Sequence, residues 1–145
     1  MSTAQYPRSP KALVGGMVHL GRLIDKVRLR HQGLIQDYNY FTTGFDKYLV
    51  EFLRLNPQEF ERRVLEGGTD EQLLEWVYAH GRRPSEEEIR LWNERIMTGG
   101  PKDDDARQRF QSRLVEIAAK RRVPVTALPP VTTWLEIIEL DEERM

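Results

Sequence analysis

Patterns that start helices recur along the chain at short intervals, and they limit the possible fold more than any other feature. Thr69, Ser85 and Thr133 each stand three residues before Gln or Glu, which is the spacing of a capping box. Asn56-Pro57 makes a fourth start, with Asn as the N-cap and Pro in the first turn. The helices that start at Asn56, Thr69 and Ser85 are each followed by a glycine that can end a helix. The sequence therefore predicts an all-α fold of five to seven short helices.

Two further helices are expected nearer the amino terminus. Apolar residues spaced alternately four and three apart predict an amphipathic helix over about residues 16–32, ended by Gly33. Residues 34–44 lack this period and are expected to form a loop. A short helix over about residues 46–53 follows.

The carboxyl-terminal part is expected to hold one longer helix and an extended segment. Asp103–Asp105 and Lys120–Arg122 bracket the helix with the charges that the helix dipole favours at each end. Its apolar stripe is Phe110, Leu114 and Ile117. Three prolines in residues 123–131 predict an extended chain, because proline lacks the amide donor that a helix needs. A length of 145 residues without repeats or long linkers predicts a single domain.

The composition excludes several classes of protein. The absence of cysteine rules out disulfides and thiolate chemistry and favours the cytoplasm as the location. The chain lacks the apolar core of a signal peptide and any run of 18 uncharged apolar residues. We therefore expect a soluble protein that does not insert into a membrane.

The charge pattern argues against nucleic-acid binding. Residues 1–63 hold ten Lys and Arg against six Asp and Glu, and residues 64–145 hold twelve against seventeen. A nucleic-acid-binding domain usually shows a general basic excess or a basic stripe with aromatic residues. Neither occurs here, so we expect the two halves to attract each other within one fold.

The predicted first helix carries the candidate site. His19, Arg22 and Lys26 share one face, with Asp25 at its margin. Such a face can bind an anion or hold the histidine as an acid or base. Alternatively it is a solvated surface on which Asp25 pairs locally with Arg22 or Arg28.

Other candidate residues lie outside this helix. Asp46 is expected to be an N-cap, and it is also a candidate to orient His19 as part of the site. Trp92 is expected to pack in the core, although it is also a candidate ligand-binding residue together with Asn93. The face of the first helix is expected to meet Asp46, and Asp141 is a further candidate for the same location.

Metal and cofactor motifs are missing. The three histidines do not stand at a spacing typical of metal ligands, and the run Asp103–Asp105 is explained as an acidic first turn. The chain contains no P-loop, GxGxxG or GxSxG motif. We therefore predict neither a metal nor a cofactor.

Several short motifs, taken together, resemble those of a bacterial family known as domain of unknown function 5069. They are Ser9-Pro10, Gly15-Gly16, His19–Leu29, Gly44-Phe45-Asp46, Gly68–Glu71 with Trp76, Arg82–Asn93 and Leu140–Arg144. This resemblance covers essentially the whole chain and implies no reaction, cofactor or partner. Three positions depart from the family pattern: Lys47-Tyr48 stands where the family has Gly-Arg, and Glu143 stands where it has Gly.

These observations lead to three functional hypotheses. The first is a non-enzymatic module that binds a protein partner or a small anionic ligand through the polar face of the first helix. The second is a small hydrolase or transferase with His19 as general base, Asp25 or Asp46 orienting it, and Arg22 or Lys26 stabilising an anion. The third is a structural subunit that assembles through an apolar patch.

Overall fold

The structure is a computed structural model that describes residues 6–34, 40–41 and 44–145. Across these ranges the chain is all-helical, with seven α-helices, one short 3₁₀ helix and no strand. The α-helices are α1 (Leu20–His31), α2 (Gly44–Leu53), α3 (Pro57–Leu65), α4 (Asp70–His80), α5 (Glu86–Thr98), α6 (Asp104–Arg121) and α7 (Trp134–Asp141). The predicted all-α class is confirmed for this part of the chain. None of these helices has the length and apolar character that crossing a membrane requires.

The helix starts predicted from capping patterns are confirmed. Thr69 accepts a hydrogen bond from the amide of Gln72, whose side chain accepts one from the amide of Thr69. The same reciprocal pair forms at the starts of α5 and α7. Asn56 accepts from the amide of Glu59 at the start of α3. Each of these capping contacts joins residues only three positions apart, so it depends on the local sequence alone.

The start of α1 differs from the prediction. Gly15 and Gly16 have φ values of 61° and 77°, and Val14 and Met17 exchange backbone hydrogen bonds around them. His19 also has a positive φ, so the right-handed helix begins only at Leu20. The prediction of a start near residue 16 is therefore wrong. The predicted end is confirmed, since Gly33 has a φ of 74°.

Two other predictions need correction. The second helix begins at Gly44, which places Asp46 inside the first turn, so the prediction that Asp46 is the N-cap is wrong. Residues 123–131 include a 3₁₀ helix at Val125–Ala127, and the chain is extended at Pro124 before it and Leu128 after it. Most of the loop predicted for residues 34–44 lies outside the described residues.

The chain groups into two compact units, Met1–Asn93 and Glu94–Met145. In the first unit, α1 packs against α3, and α3 packs against α4. Leu23, Ile24 and Val27 of α1 are fully buried, as is Phe60 of α3. The apolar stripe that predicted α1 is therefore its buried face. This division does not test the prediction of a single domain.

In the second unit, α6 packs against α7. Its core contains Phe110 and Ile117 of α6 with Ile137 and Leu140 of α7, and Leu114 packs against them. The stripe predicted for α6 thus faces the core. Glu143, at the position where the family resemblance implies glycine, has a φ of 64°, a conformation that favours glycine.

We predict that Gly81→Ala will be strongly destabilising. A Cβ atom at Gly81 would lie 2.2 Å from the backbone oxygen of Leu53 and 3.0 Å from that of Val77. Neither oxygen can rotate away, so the free energy of unfolding should fall by about 3 kcal/mol. Urea denaturation followed by circular dichroism would measure the change.

A matched control is Gly67→Asn, because no atom lies within 4 Å of a Cβ built there. Asn tolerates positive φ, so the change should stay below about 1 kcal/mol. An alanine variant at Gly81 as stable as the original protein would show that the close approach of Leu53 is wrong.

Candidate functional site

His19 lies at the start of α1 with a left-handed backbone, at φ 76° and ψ −27°. This conformation is uncommon for residues other than glycine and costs about 1–3 kcal/mol. Two backbone hydrogen bonds hold it. The amide of His19 donates to the carbonyl of Pro10, and its carbonyl accepts from the amide of Leu23. The surrounding chain therefore determines where the imidazole lies.

Trp92 and Asn93 hold the segment that precedes His19. Asn93 accepts from the amide of Val18 at 3.0 Å and donates to the carbonyl of Gly16 at 2.8 Å. The indole N–H of Trp92 donates to the carbonyl of Val18 at 3.1 Å, and its ring stacks on Phe52. Trp92 is buried, as the sequence predicted. Both residues thus position the chain that leads into His19, and ligand binding by them stays a prediction.

The carboxylate of Asp46 joins two side chains. Its Oδ1 lies 2.5 Å from Nε2 of His19, and its Oδ2 accepts from Nζ of Lys26 at 2.7 Å. His19 and Asp46 are buried, and the side chain of Lys26 is 11% exposed. His19 and Lys26 of the predicted polar face therefore meet Asp46, as the sequence predicted, whereas Asp25 is bound by Arg8. We refer to His19, Arg22, Lys26 and Asp46 as the His19 cluster.

Arg8 organises the margin of the cluster, a role that the sequence did not indicate. Its amide and Nε both donate to Asp25, and its two terminal nitrogens donate to the carboxylate of Asp70. The carbonyl of Arg8 accepts from the buried side chain of Arg22 at 3.2 Å. The predicted pairing of Asp25 with Arg22 or Arg28 is therefore wrong. Asp46, and not Asp25, is the carboxylate bound to the imidazole.

Burial sets the charge state of His19. Removal from water lowers the pKa of His19 below its ordinary value of 6.5, although the bond to Asp46 opposes this shift. The imidazole is therefore neutral at pH 7. Burial alone would raise the pKa of Asp46, but the hydrogen bond from His19 and the charge of Lys26 outweigh it and keep that pKa below 3.8. Asp46 is ionised.

These charge states define what the imidazole can do. With Asp46 ionised, Nε2 of the neutral ring carries the proton and donates it to the carboxylate, so Nδ1 keeps a lone pair. Nδ1 is buried, and the described residues offer it no hydrogen-bonding partner. The ring of Phe45 packs edge-on against the imidazole at 5.5 Å. Nδ1 can therefore act as a hydrogen-bond acceptor or as a base.

Asp141 lies on α7 in the second unit. Its carboxylate pairs with Arg113 and with Lys120, both at 3.2 Å. These contacts give Asp141 two partners on α6, and its role in ligand binding stays a prediction.

Metal ligands do not gather in the described part of the chain. No group of three or more His, Cys, Asp or Glu side chains there could hold a metal ion. Asp103 accepts from the amide of Ala106 at 2.7 Å, so the acidic run begins with an N-cap. The absence of a bound metal stays a prediction, which elemental analysis of the purified protein can test.

We predict that acid will destabilise the fold through His19. The folded protein binds this proton less readily than the unfolded chain, so the free energy of unfolding falls as the pH drops below 6.5. Because a single proton is involved, the free energy of unfolding cannot change by more than about 1.4 kcal/mol per pH unit. Asp46 acts in the same direction at lower pH. Its pKa is lower in the folded protein than the ordinary value of 3.8, so its contribution to the free energy of unfolding is complete above pH 3.8 and is lost as the pH falls through the folded pKa. Urea denaturation between about pH 7.5 and 5 would measure the part that His19 contributes.

The variant His19→Asn should flatten this decline, because Asn tolerates positive φ and does not titrate. His31→Asn is the control, since His31 is exposed and should leave the decline in place. An unchanged pH dependence in His19→Asn would contradict the assignment to His19.

Comparison with known proteins places the chain in a family. None of the curated proteins matches it. A family model described as "Domain of unknown function (DUF5069)" matches residues 4–144, which is nearly the whole chain. The resemblance found in the short motifs is confirmed, and the chain belongs to the DUF5069 family.

Proposed function

We propose that the protein is a non-enzymatic binding module and that the His19 cluster holds a small anionic ligand. The observation that best supports this is the burial of His19, Arg22 and Asp46 together, with Lys26 almost buried beside them. Burying ionisable groups costs free energy, and groups with shifted pKa values concentrate at functional sites.

The charges in the cluster favour an anion. Arg22 and Lys26 carry two positive charges against the one negative charge of Asp46, so the cluster has a net positive charge in a region shielded from water, where attraction between charges is stronger than at the surface. The neutral ring of His19 adds no charge, and its Nδ1 can accept a hydrogen bond from the ligand. Small phosphates and hydroxy acids combine an anionic oxygen with a hydroxyl donor, so they fit both features.

The burial of the cluster also favours a small ligand over a protein partner. A protein surface cannot reach His19, which is 1% exposed, without a large rearrangement of α1 and α2. A small ligand can enter through a local opening of a few residues, which costs much less than global unfolding.

We also propose that the protein works in the bacterial cytoplasm without binding nucleic acid or membranes. The lack of cysteine suits a reducing compartment, and the net charge of −1 offers little attraction to phosphate backbones or anionic lipids.

A second candidate function, a small hydrolase or transferase, has one specific observation in its favour. A carboxylate bound to one imidazole nitrogen, with a lone pair on the other, is the arrangement of an oriented general base. In this alternative, Nδ1 of His19 takes a proton from the attacking group and Asp46 keeps the ring in the required tautomer. Arg22 and Lys26 then stabilise negative charge on the substrate.

We predict that small anions will stabilise the protein through Lys26. Inorganic phosphate or a small hydroxy acid should raise the Tm more than chloride at equal ionic strength. Binding at 100 times the Kd adds about 2.7 kcal/mol to the free energy of unfolding. Lys26→Gln should abolish this gain. Lys47→Gln, at an exposed position on α2, should retain it.

Removing Lys26 leaves a buried carboxylate short of one partner and can itself unfold the protein. The double variant Lys26→Met with Asp46→Asn removes both charges and keeps the test possible. The proposal is wrong if neither phosphate nor a hydroxy acid raises the Tm of the original protein more than chloride does. It is also wrong if the folded Lys26 variants show as large a rise in Tm as the original protein.

The enzyme alternative predicts activity that depends on His19. Hydrolysis of carboxylic or phosphoric esters should show a kcat/KM that rises with pH through a pKa below 6.5, as His19 loses its proton. His19→Asn should lower kcat by about 10²–10⁴-fold, and His31→Asn should not. If His19→Asn hydrolysed the ester as fast as the original protein, His19 could not be the general base.

A further inference from the structure

A cavity of about 220 Å³ lies on the surface of α3 and α4, away from the residues of the His19 cluster. Its lining consists of Glu59, Arg62, Arg63, Glu66, Trp76 and His80. Pockets for drug-sized ligands span about 300–1,000 Å³, so this one suits a smaller molecule.

One wall of the cavity is a pair of stacked rings. The rings of Trp76 and His80 lie 4.4 Å apart and within 15° of parallel. Phe60, which is fully buried, contacts Trp76 from the core. Trp76 is half-buried and His80 is exposed, so the stacked pair offers the cavity an aromatic wall that the core supports. Such a surface favours a planar aromatic ligand.

The same wall offers a hydrogen-bond acceptor. Nδ1 of His80 donates to the carbonyl of Trp76 at 3.0 Å, which fixes the tautomer of the neutral ring. Nε2 then keeps a lone pair that can accept a hydrogen bond from a ligand.

The charged side chains that line the cavity balance one another, and some of them make no ion pair within the lining. Two arginines face two glutamates, so the lining has no net charge when His80 is neutral. Arg63 donates to the carbonyl of Gly67 at 2.7 Å. Within the part of the chain that the structure describes, Arg62 makes no ion pair with Glu59 or Glu66, although Glu66 follows Arg62 by four positions as the C-cap of α3. A ligand that carries one positive and one negative group can therefore pair with both kinds of charge.

We propose that this cavity binds a zwitterionic aromatic molecule of the class of free aromatic amino acids. The ring of the ligand packs on Trp76 and His80, its carboxylate binds Arg62, and its ammonium group binds Glu59 or Glu66. The site does not depend on the function proposed for the His19 cluster.

L-Phenylalanine is the probe, and Trp fluorescence with isothermal titration calorimetry is the readout. A ligand of this size should bind with a Kd on the order of 1 mM. Three analogues test the three contacts: 3-phenylpropionate lacks the ammonium group, phenethylamine lacks the carboxylate, and cyclohexylalanine lacks the aromatic ring. Each should bind at least about tenfold more weakly.

Arg62→Gln should weaken L-phenylalanine binding by about tenfold or more, because the charged hydrogen bond to the carboxylate is lost. Arg62 is exposed, so the variant should fold normally. Arg107→Gln, at an exposed position on α6, is the control and should bind like the original protein. Lys26→Gln should also bind L-phenylalanine normally, which separates this proposal from the one for the His19 cluster. An absence of saturable binding, equal binding of the analogues, or full affinity in Arg62→Gln would each overturn the proposal.

Discussion

The carboxylate of Asp46 binds His19 through one oxygen and Lys26 through the other, and it does so out of contact with water. Each oxygen has a donor, so the desolvation of the carboxylate is offset by two hydrogen bonds. Removing one partner of such a pair typically costs about 3–5 kcal/mol, because the remaining charge stays buried. Asp46 therefore ties α2 to the start of α1, together with the ring contact between Phe45 and His19. The same contacts keep Asp46 ionised and the ring of His19 neutral.

The left-handed backbone of His19 is the second unusual feature of this region, and distant residues stabilise it. Asn93 and Trp92 bind the chain at Gly16 and Val18, and Pro10 accepts from the amide of His19 itself. These contacts hold His19 in a backbone conformation that residues other than glycine do not favour. A strained backbone that several elements support is typical of sites where the position of a side chain matters. This fits a functional use of the imidazole better than a purely structural one.

The two proposed sites of the first unit use different chemistry. The His19 cluster is buried, and shielding from water strengthens its electrostatic attraction for an anion. The cavity on α3 and α4 is open, and its charged groups remain solvated. Its ring pair of Trp76 and His80 must therefore provide much of the affinity. Ligands of one site should not compete at the other, since the charge, size and burial that each requires are different.

The helix starts at Asn56, Thr69, Ser85 and Thr133 were determined by the sequence alone, because each capping contact joins residues only three apart. The hydrophobic period likewise predicted the buried faces of α1 and α6, and the spacing of His19, Arg22 and Lys26 indicated the polar face that meets Asp46. Only the tertiary structure decided where α1 begins, that Asp46 binds His19 instead of capping α2, and that Asp25 pairs with Arg8. Each of these outcomes depends on contacts between residues 17 to 77 positions apart in the chain. No local pattern encodes such contacts, since they form only when packing of the apolar faces has brought the segments together.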